Sequence, residues 1–320
     1  MAEDYPRTLL ELEGRFATDQ QCRTYLEALR WPEGFVCPRC GGRKAWPAQR
    51  GRWICVVCRH QATVTAGTIF QDSHFPLRLW CRAIWHVTSQ KNGASALGLQ
   101  RVLGLGSYQT AWTVLHKLRR AMVRPGRDKL SGRVEVDETQ IGGPGFKGRG
   151  SPTKALVVIA AQEDGGGVGR IRMAQVPNGS AEHLLGFIQG TVVPGSHVHT
   201  DGWKPYQGLA GLGYEHKITR LKGQPLSTAT EVLPRVHRVA SLLKRWLLGT
   251  HQGAIAPEHL DYYLDEFTFR FNRRTSASRG KLFYRLAQQA VQLSPAPYHA
   301  LVGGSNNPKY HPQGSVESIG

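Results

Sequence analysis

The sequence predicts an α/β protein in which a small metal-binding domain and a helical region precede a mixed sheet. Two Cys-x-x-Cys pairs lie between residues 37 and 58, helical periodicity runs from residue 77 to 122, and strand-like runs that end in acids begin at residue 133. The chain has 320 residues, 40% of them hydrophobic, which is enough to bury a core in about two domains. We therefore expect a folded protein of more than one domain.

Composition and the first residues exclude several classes of protein. No run of about 18 apolar residues is present, so a membrane-spanning helix is not expected. The N-terminal segment is acidic and lacks the apolar stretch of a signal peptide. The ordinary apolar content argues against a disordered chain. We therefore expect a cytoplasmic protein with no membrane partner.

The positive charge of the chain is concentrated in one stretch. The whole sequence has 41 Lys and Arg against 23 Asp and Glu, a formal net charge of +18. Residues 31–130 carry 16 basic and 3 acidic side chains, a net charge of +13, whereas residues 131–220 carry 9 and 8. A local positive field of this kind indicates a polyanionic partner, here a nucleic acid. A basic surface that serves only solubility is the alternative.

The cysteines between residues 31 and 72 predict a zinc ribbon. Two pairs, fourteen residues apart, can each supply two thiolates from a tight turn to a tetrahedral ion: Cys37, Cys40, Cys55 and Cys58. Disulfides are not expected in the cytoplasm, and a thioredoxin-like redox pair needs a βαβ context that is missing here. We expect His60 at the surface or facing DNA, and Cys22 and Cys81 in the core. Since four thiolates leave no open position for chemistry, the zinc is expected to be structural.

Residues 73–126 predict a helix-turn-helix. Apolar residues three or four apart mark a first helix from Leu77, and a second helix spans residues 95–103. The turn at 104–107 leads into a third helix, 108–122, whose basic residues are expected to contact DNA: Lys117, Arg119, Arg120 and Arg124. A purely structural pair of helices gives a similar pattern and is the alternative.

After residue 126 the pattern is that of a mixed α/β sheet. Strands are expected at 133–139, 155–161, 170–176 and 196–203. Helices are expected at about 180–189, 236–248 and 257–272. Asp137 and Asp201 each fall at a strand end, where carboxylates can converge at one edge of the sheet to hold a hard divalent cation. A lone Asp in such a place is otherwise a turn or capping residue.

Together these motifs resemble the zinc-ribbon transposases of bacterial insertion sequences, in the DDE superfamily (the insertion-sequence 1595 family). The resemblance covers roughly residues 10–310. Beside the four cysteines it rests on five segments: 65–70, 134–139, 199–202, 236–245 and 267–274. These segments are specific in combination and not singly.

The resemblance implies a ribonuclease-H-like catalytic domain. The chain then divides into an N-terminal helical segment, the zinc ribbon, the helix-turn-helix region, the catalytic domain and a C-terminal tail, at 1–30, 31–72, 73–126, 127–285 and 286–320. The first and second acids of the family fall on Asp137 and Asp201. Its third position holds Glu, or in some branches Asn or His, seven residues before a Lys. That position falls on His237, with Lys244 two helical turns further on.

The implied activity is metal-dependent cleavage and joining of DNA. Two Mg²⁺ or Mn²⁺ ions support such reactions. The resemblance assigns Asp137 to both ions, Asp201 to one, and His237 to the other ion, the nucleophile or a phosphate. Because imidazole is a softer ligand than carboxylate, His237 favours Mn²⁺. Contacts with the DNA backbone are expected from Lys244, Arg238 and Arg245. The implied partners are transposon ends and target DNA, held by a homodimer or a larger homo-oligomer.

Three other functions fit parts of the sequence. One is a zinc-ribbon DNA-binding regulator whose α/β domain is a ligand or oligomerisation module. The activity of such a regulator would not change in Asp137→Asn. The second is a structure-specific nuclease that does not join ends. The third is a decayed transposase, suggested by the missing Glu. The presence of both aspartates, the lysine and all four cysteines argues against decay, so the sequence favours an active transposase.

Overall fold

The computed structural model describes residues 3–123, 126–142, 154–219, 232–253 and 255–303. The chain forms two compact units. The first joins Met1–Arg124 to Thr275–Gly303, and the second is built from Pro125–Arg274. Among the helices in these ranges, none is long and apolar enough to span a bilayer.

The first unit opens with two helices and a β-ribbon. α1 (Leu9–Arg15) and α2 (Asp19–Arg30) each begin at a threonine cap. The antiparallel ribbon that follows contains three strands, β1 (Ala45–Ala48), β2 (Arg52–Cys55) and β3 (Gln61–Thr63). At the end of α2, the Arg30 guanidinium donates to the carbonyls of Thr63 and Val64 at 2.8 and 2.9 Å. These hydrogen bonds tie the ribbon to α2.

Three more helices follow the ribbon: α3 (Leu77–Ser89), α4 (Ala96–Leu103) and α5 (Tyr108–Ala121). The Ser95 hydroxyl caps α4, and the helix ends at Gly104, whose φ of 63° lies in the left-handed region that favours glycine. α4 and α5 are thus two packed helices joined by the short connection 104–107.

The second unit is built on a five-stranded sheet. Its strands are β4 (Arg133–Ile141), β5 (Ala155–Asp164), β6 (Gly167–Val176), β7 (His197–Thr200) and β8 (Glu215–Ile218). Their order is β6-β5-β4-β7-β8. The first three strands pair antiparallel, whereas β7 and β8 run parallel to β4. The predicted α/β class with a mixed sheet is confirmed, and the short edge strand β8 is an addition that the sequence pattern did not predict.

Helices cover both faces of this sheet. α6 (Ala181–Thr191) packs over an apolar cluster on one face. α7 (Pro234–His251) and α8 (Leu260–Phe271) pack over a second cluster on the other face. Two core layers therefore hold the sheet, and α7 lies on the face opposite α6.

After Arg274 the chain returns to the first unit. α9 (Arg279–Ala290) packs against α3, and α10 (Tyr298–Val302) follows it. Phe283 of α9 is fully buried, and three aromatic rings lie within 6.1 Å of its centroid: Phe16, Tyr25 and Trp85.

The return of the chain differs from the expected domain boundaries. The sequence pattern extends the catalytic domain to residue 285 and treats residues 286–320 as a tail. In the structure, residues 275–303 belong to the first unit. The physical reason is the apolar face of α9, which is buried among aromatic side chains of the first unit rather than against the sheet.

Candidate active site

Neighbouring parallel strands bring Asp137 and Asp201 to one part of the sheet. Glu135 of β4 lies opposite His199 of β7 in the parallel register. Asp137 and Asp201 each follow two residues later, so they share a level and a face. This is the α7 face, because the valines that alternate with the acids of β4 belong to the cluster under α6. The structure thus brings these two predicted acids together.

The surroundings of Asp137 raise its pKa. Burial raises its pKa to about 7, and the charges of Glu138 and Asp201 act in the same direction. Burial also raises the pKa of Glu138, although the Tyr206 hydroxyl, which donates to Glu138 Oε2 at 2.8 Å, opposes the shift. Glu138 directly follows Asp137 in β4, so its side chain lies on the opposite face of the sheet, beside Tyr206 of the cluster under α6. Of these three acids, Asp137 and Asp201 are therefore the ones on the α7 face.

His237, in the first turn of α7, faces Asp137. Its Nε2 lies 3.8 Å from Asp137 Oδ2. This nitrogen is buried and has no hydrogen-bond partner in the part of the chain that the structure describes. Burial lowers the pKa of the imidazole, although the nearby Glu135 and Asp201 charges oppose this shift. A neutral imidazole with such a nitrogen is the form of histidine that binds metal ions.

The donor set fits a divalent cation. Carboxylate oxygens suit Mg²⁺ and Mn²⁺, and the buried Nε2 of His237 supplies a nitrogen ligand that is otherwise unsatisfied. The donors are less tightly gathered than those of the cysteine cluster. Within the described ranges, that cluster alone has three or more His, Cys, Asp or Glu donor atoms all within 4.8 Å of one another. The carboxylates would therefore have to close around an ion.

The cations predicted on α7 fall into two groups. Lys244 is half-buried, and its charge contributes to the lowered pKa of His237, which places it near that imidazole. Arg238 and Arg245 are exposed on the same helix. All three are available on the helix that carries the proposed nitrogen ligand.

The four predicted cysteines form a closed cluster in the ribbon. The Sγ atoms of Cys37 and Cys58, and those of Cys40 and Cys55, are each 3.6 Å apart. A tetrahedral zinc site with bonds of about 2.3 Å has edges of about 3.8 Å, so the cluster has the size of a zinc site. Backbone amides of Cys58 and Val57 lower the pKa of the Cys55 thiol to about 7. His60 is outside the cluster.

The basic residues predicted to contact DNA from α5 lie differently. Lys117 and Arg119 are 5% and 2% exposed. Lys117 Nζ donates to the Gln71 carbonyl at 3.1 Å, and the Arg119 guanidinium donates to the Ala94 carbonyl at 3.5 Å. The last turns of α5 are packed inside the unit, and these long side chains serve as internal donors there. The expectation that they form an outer basic face does not match the structure.

The other two cations predicted to contact DNA from α5, Arg120 and Arg124, do not provide an exposed basic face in the described residues. Arg120 is half-buried and donates to the Pro295 carbonyl at 3.3 Å, and Arg124 lies outside the described residues. The exposed part of α5 is instead its beginning, with Tyr108, Gln109 and Thr110. The sequence contains a signal for this exposure, because the apolar spacing that marks the buried face of α5 begins only at Ala111.

Comparison with known proteins agrees with the motifs. Residues 129–272 match the ISXO2-like transposase domain, and residues 17–61 match the transposase zinc-ribbon domain. A relative described as an uncharacterized protein in transposable element ISH50, from Halobacterium salinarum, is 26% identical over 278 residues, which cover 80% of this chain and 91% of the relative.

A solved structure, the simian T-cell lymphotropic virus intasome in complex with PP2A regulatory subunit B56 gamma, contains a chain with 15% identity and a TM-score of 0.32. The match covers 62% of this chain and 74% of that chain, and the TM-score is too low to indicate a shared fold.

The matched domains define the class as a DDE-type transposase with an N-terminal zinc ribbon. Within that class, residues 129–272 are similar to the ISXO2-like transposase domain of the insertion-sequence 1595 family, and residues 17–61 to its zinc ribbon.

Proposed function

We propose that this protein cleaves DNA at transposon ends and joins the ends to target DNA in a reaction that depends on divalent metal ions. The observation that carries the proposal is the convergence of Asp137, Asp201 and His237, with the buried His237 Nε2 3.8 Å from Asp137 Oδ2. The match of residues 129–272 to a transposase domain supports it. The mixed sheet, with the acids on adjacent parallel strands, supports a ribonuclease-H-like catalytic domain.

Each residue of the site has a defined task in this proposal. Asp137 and Asp201 would hold the divalent ions through their carboxylates, with Asp137 as the main ligand, and His237 would supply a nitrogen ligand. Bound Mg²⁺ or Mn²⁺ supplies Lewis-acid stabilisation of the phosphate and a water or 3′-hydroxyl of lowered pKa. Lys244 holds a DNA phosphate near the acids. Two exposed cations of α7 extend this contact along the backbone: Arg238 and Arg245.

The first unit is proposed to hold the DNA, with the ribbon contacting phosphates and the α4–α5 pair acting as a helix-turn-helix. Such motifs read bases with the first residues of their second helix. In this chain those residues are the exposed Tyr108, Gln109 and Thr110. A glutamine amide can form two hydrogen bonds with adenine in the major groove. Arg101, exposed on α4, supplies a nearby cation for the backbone.

Two transposon ends must be brought together for such a reaction, so the working form is proposed to be a homodimer or a larger homo-oligomer. The number of copies on a pair of ends can be measured by mass photometry of the protein–DNA complex.

The proposal is tested with 5′-labelled duplex DNA from the two flanks of the protein's own gene, in the presence of Mn²⁺. Nicking followed by strand joining is expected for the wild type and is expected to be lost in Asp137→Asn. Glu182→Gln is the matched control, because Glu182 is an exposed carboxylate on α6. Cleavage without joining would favour the nuclease. Binding without cleavage would favour the regulator or the decayed transposase.

A further inference from the structure

The helix that carries His237 and Lys244 has no cap of its own. α7 begins with Pro234, and the preceding Leu233 offers no side-chain hydrogen bond to the first turn. The amides that a capping side chain ordinarily satisfies are those of the second and third helical residues, here Arg235 and Val236. Their partner has to come from another part of the fold.

That partner is Glu135, which lies on β4 and is separated from Arg235 by 100 residues in sequence. Glu135 Oε2 accepts from the amides of Arg235 and Val236 at 2.7 and 3.1 Å. Glu135 Oε1 accepts from the Arg235 guanidinium at 2.8 Å. The carboxylate is only 5% exposed, and its charge lies at the positive end of the helix dipole. Glu135 therefore caps α7 from the strand.

The Arg235 guanidinium extends this connection to two more strands. It forms an ion pair with Glu163 of β5 at 2.9 Å and donates to the carbonyl of Gly167, at the start of β6, at 3.0 Å. The first turn of α7 is thus fastened to three adjacent strands. Glu135 alone among these partners reaches the backbone amides of α7.

We infer that Glu135 is a positioning residue, which caps α7 and thereby holds His237 against Asp137. Glu135 and Asp137 are two residues apart on one face of β4, and His237 directly follows the capped Val236. One side chain thus sets the separation of strand and helix where the proposed ligands meet. Removing the carboxylate would leave two buried amides unsatisfied and loosen the first turn. The metal-binding part of this inference rests on the proposed function, and the capping part does not.

The test uses Glu135→Met, which keeps the approximate length of the side chain and removes both oxygen atoms that accept from α7. Hydrogen exchange of a peptide spanning residues 234–240 reports on the cap, and electron paramagnetic resonance of Mn²⁺ reports on metal binding to the full chain without DNA. We expect exchange to accelerate about tenfold and the dissociation constant for Mn²⁺ to rise about tenfold, as the loss of about one capping interaction predicts. Glu163→Met is the matched control, because it removes a partner of Arg235 and leaves both capped amides bonded to Glu135. It is expected to keep the wild-type exchange and Mn²⁺ affinity.

The two readouts separate positioning from other roles. Loss of Mn²⁺ binding with unchanged exchange would make Glu135 a direct ligand and overturn the inference. Equal losses of exchange protection and of Mn²⁺ affinity in Glu135→Met and Glu163→Met would indicate general stabilisation and would also overturn the inference. Should Glu135→Met fail to fold, Arg235→Gln retains the two amides capped by Glu135 and is expected to show a smaller change in both readouts. Changes as large as a complete loss of the cap would then contradict the inference.

The same measurements distinguish failure of this inference from failure of the proposed function. A wild type that neither binds Mn²⁺ nor nicks DNA would contradict the transposase activity and the metal-binding part of the inference. The exchange of the α7 peptide would still decide whether Glu135 is the cap.

Discussion

The side chain of Asn272 forms two hydrogen bonds with the backbone of Ile171. The Ile171 amide donates to Asn272 Oδ1 at 2.7 Å, and Asn272 Nδ2 donates to the Ile171 carbonyl at 3.1 Å. Ile171 is on β6, an edge strand of the sheet. In the first turn of α8, Asp261 accepts from the Gln175 amide of the same strand at 3.1 Å. The two ends of α8 thus satisfy backbone groups that an edge strand would otherwise expose.

Asn272→Asp is expected to lower the free energy of unfolding by about 1–3 kcal/mol. The substitution keeps an acceptor for the Ile171 amide, but it places a carboxylate oxygen against the Ile171 carbonyl in place of the donor. Urea denaturation followed by circular dichroism measures the change. Asp261→Asn is the control, because an amide oxygen can still accept from Gln175, and its effect should be smaller. Similar unfolding midpoints for Asn272→Asp and the wild type would contradict the prediction.

The cysteine cluster is expected to hold about one zinc ion per chain. Cys40→Ser leaves three thiolates and should lose most of the zinc, because structural zinc contributes on the order of 10 kcal/mol to folding in small ribbons. His60→Ala should retain the metal, since His60 is outside the cluster. Elemental analysis of the purified variants decides the matter. Zinc loss in the His60 variant would place a fifth candidate ligand at the site and refute the four-thiolate assignment.

Two substitutions on α5 distinguish an internal cation from a DNA-contacting side chain. Lys117→Met removes a buried donor to the Gln71 carbonyl, so it should lower the unfolding free energy by about 1–3 kcal/mol without weakening DNA binding by the folded protein. Gln109→Ala changes an exposed side chain, so stability should stay the same while discrimination at one base pair falls by about 1–3 kcal/mol.

Binding selection from a random-sequence duplex library, without metal, measures this discrimination. Gln20→Ala is the control, because Gln20 is exposed on α2. The same selected sequence motif in the Gln109 variant and the wild type would refute the base-reading role of α5. A weaker DNA affinity of the folded Lys117→Met variant, with the Gln109→Ala variant unchanged, would instead support a DNA-contacting role for Lys117.

The imidazole of His237 is expected to make Mn²⁺ a better cofactor than Mg²⁺, since imidazole suits the softer ion. At saturating metal, nicking should be at least about threefold faster in Mn²⁺, an order-of-magnitude expectation from ligand softness. His237→Glu restores an all-carboxylate set and should narrow this gap. Initial nicking rates in each metal test the prediction. Equal rates for the wild type in both metals would count against it.

The site could be predicted from the sequence to the extent that its residues have local signals. Asp201 follows an apolar strand as predicted, whereas Asp137 lies in the middle of β4 rather than at the expected strand end, and the parallel pairing of β4 with β7 brings the two acids together. His237 and Lys244 were identified through the resemblance and a spacing of two helical turns. The four cysteines needed only their spacing. Each of these residues is thus recognisable from the residue types and spacings close to it in the sequence.

The remaining features depend on contacts that no local pattern contains. Glu135 looks like one polar position of an alternating strand, yet its partners begin 100 residues later in sequence. Lys117 looks like a surface cation, yet the packing of α5 places it beside Gln71. The same holds for α9, whose amphipathic pattern does not say which unit will bury its apolar face.

Because α9 completes the core of the first unit, the order of synthesis limits when that unit can form. The rings of Phe16, Tyr25 and Trp85 are made early, and Phe283, which packs among them, leaves the ribosome only after the whole second unit has been translated. In a nascent chain, the second unit is therefore fully synthesised before the first unit can complete its core. A fragment cut at residue 126 would expose these aromatic rings to water and is expected to aggregate.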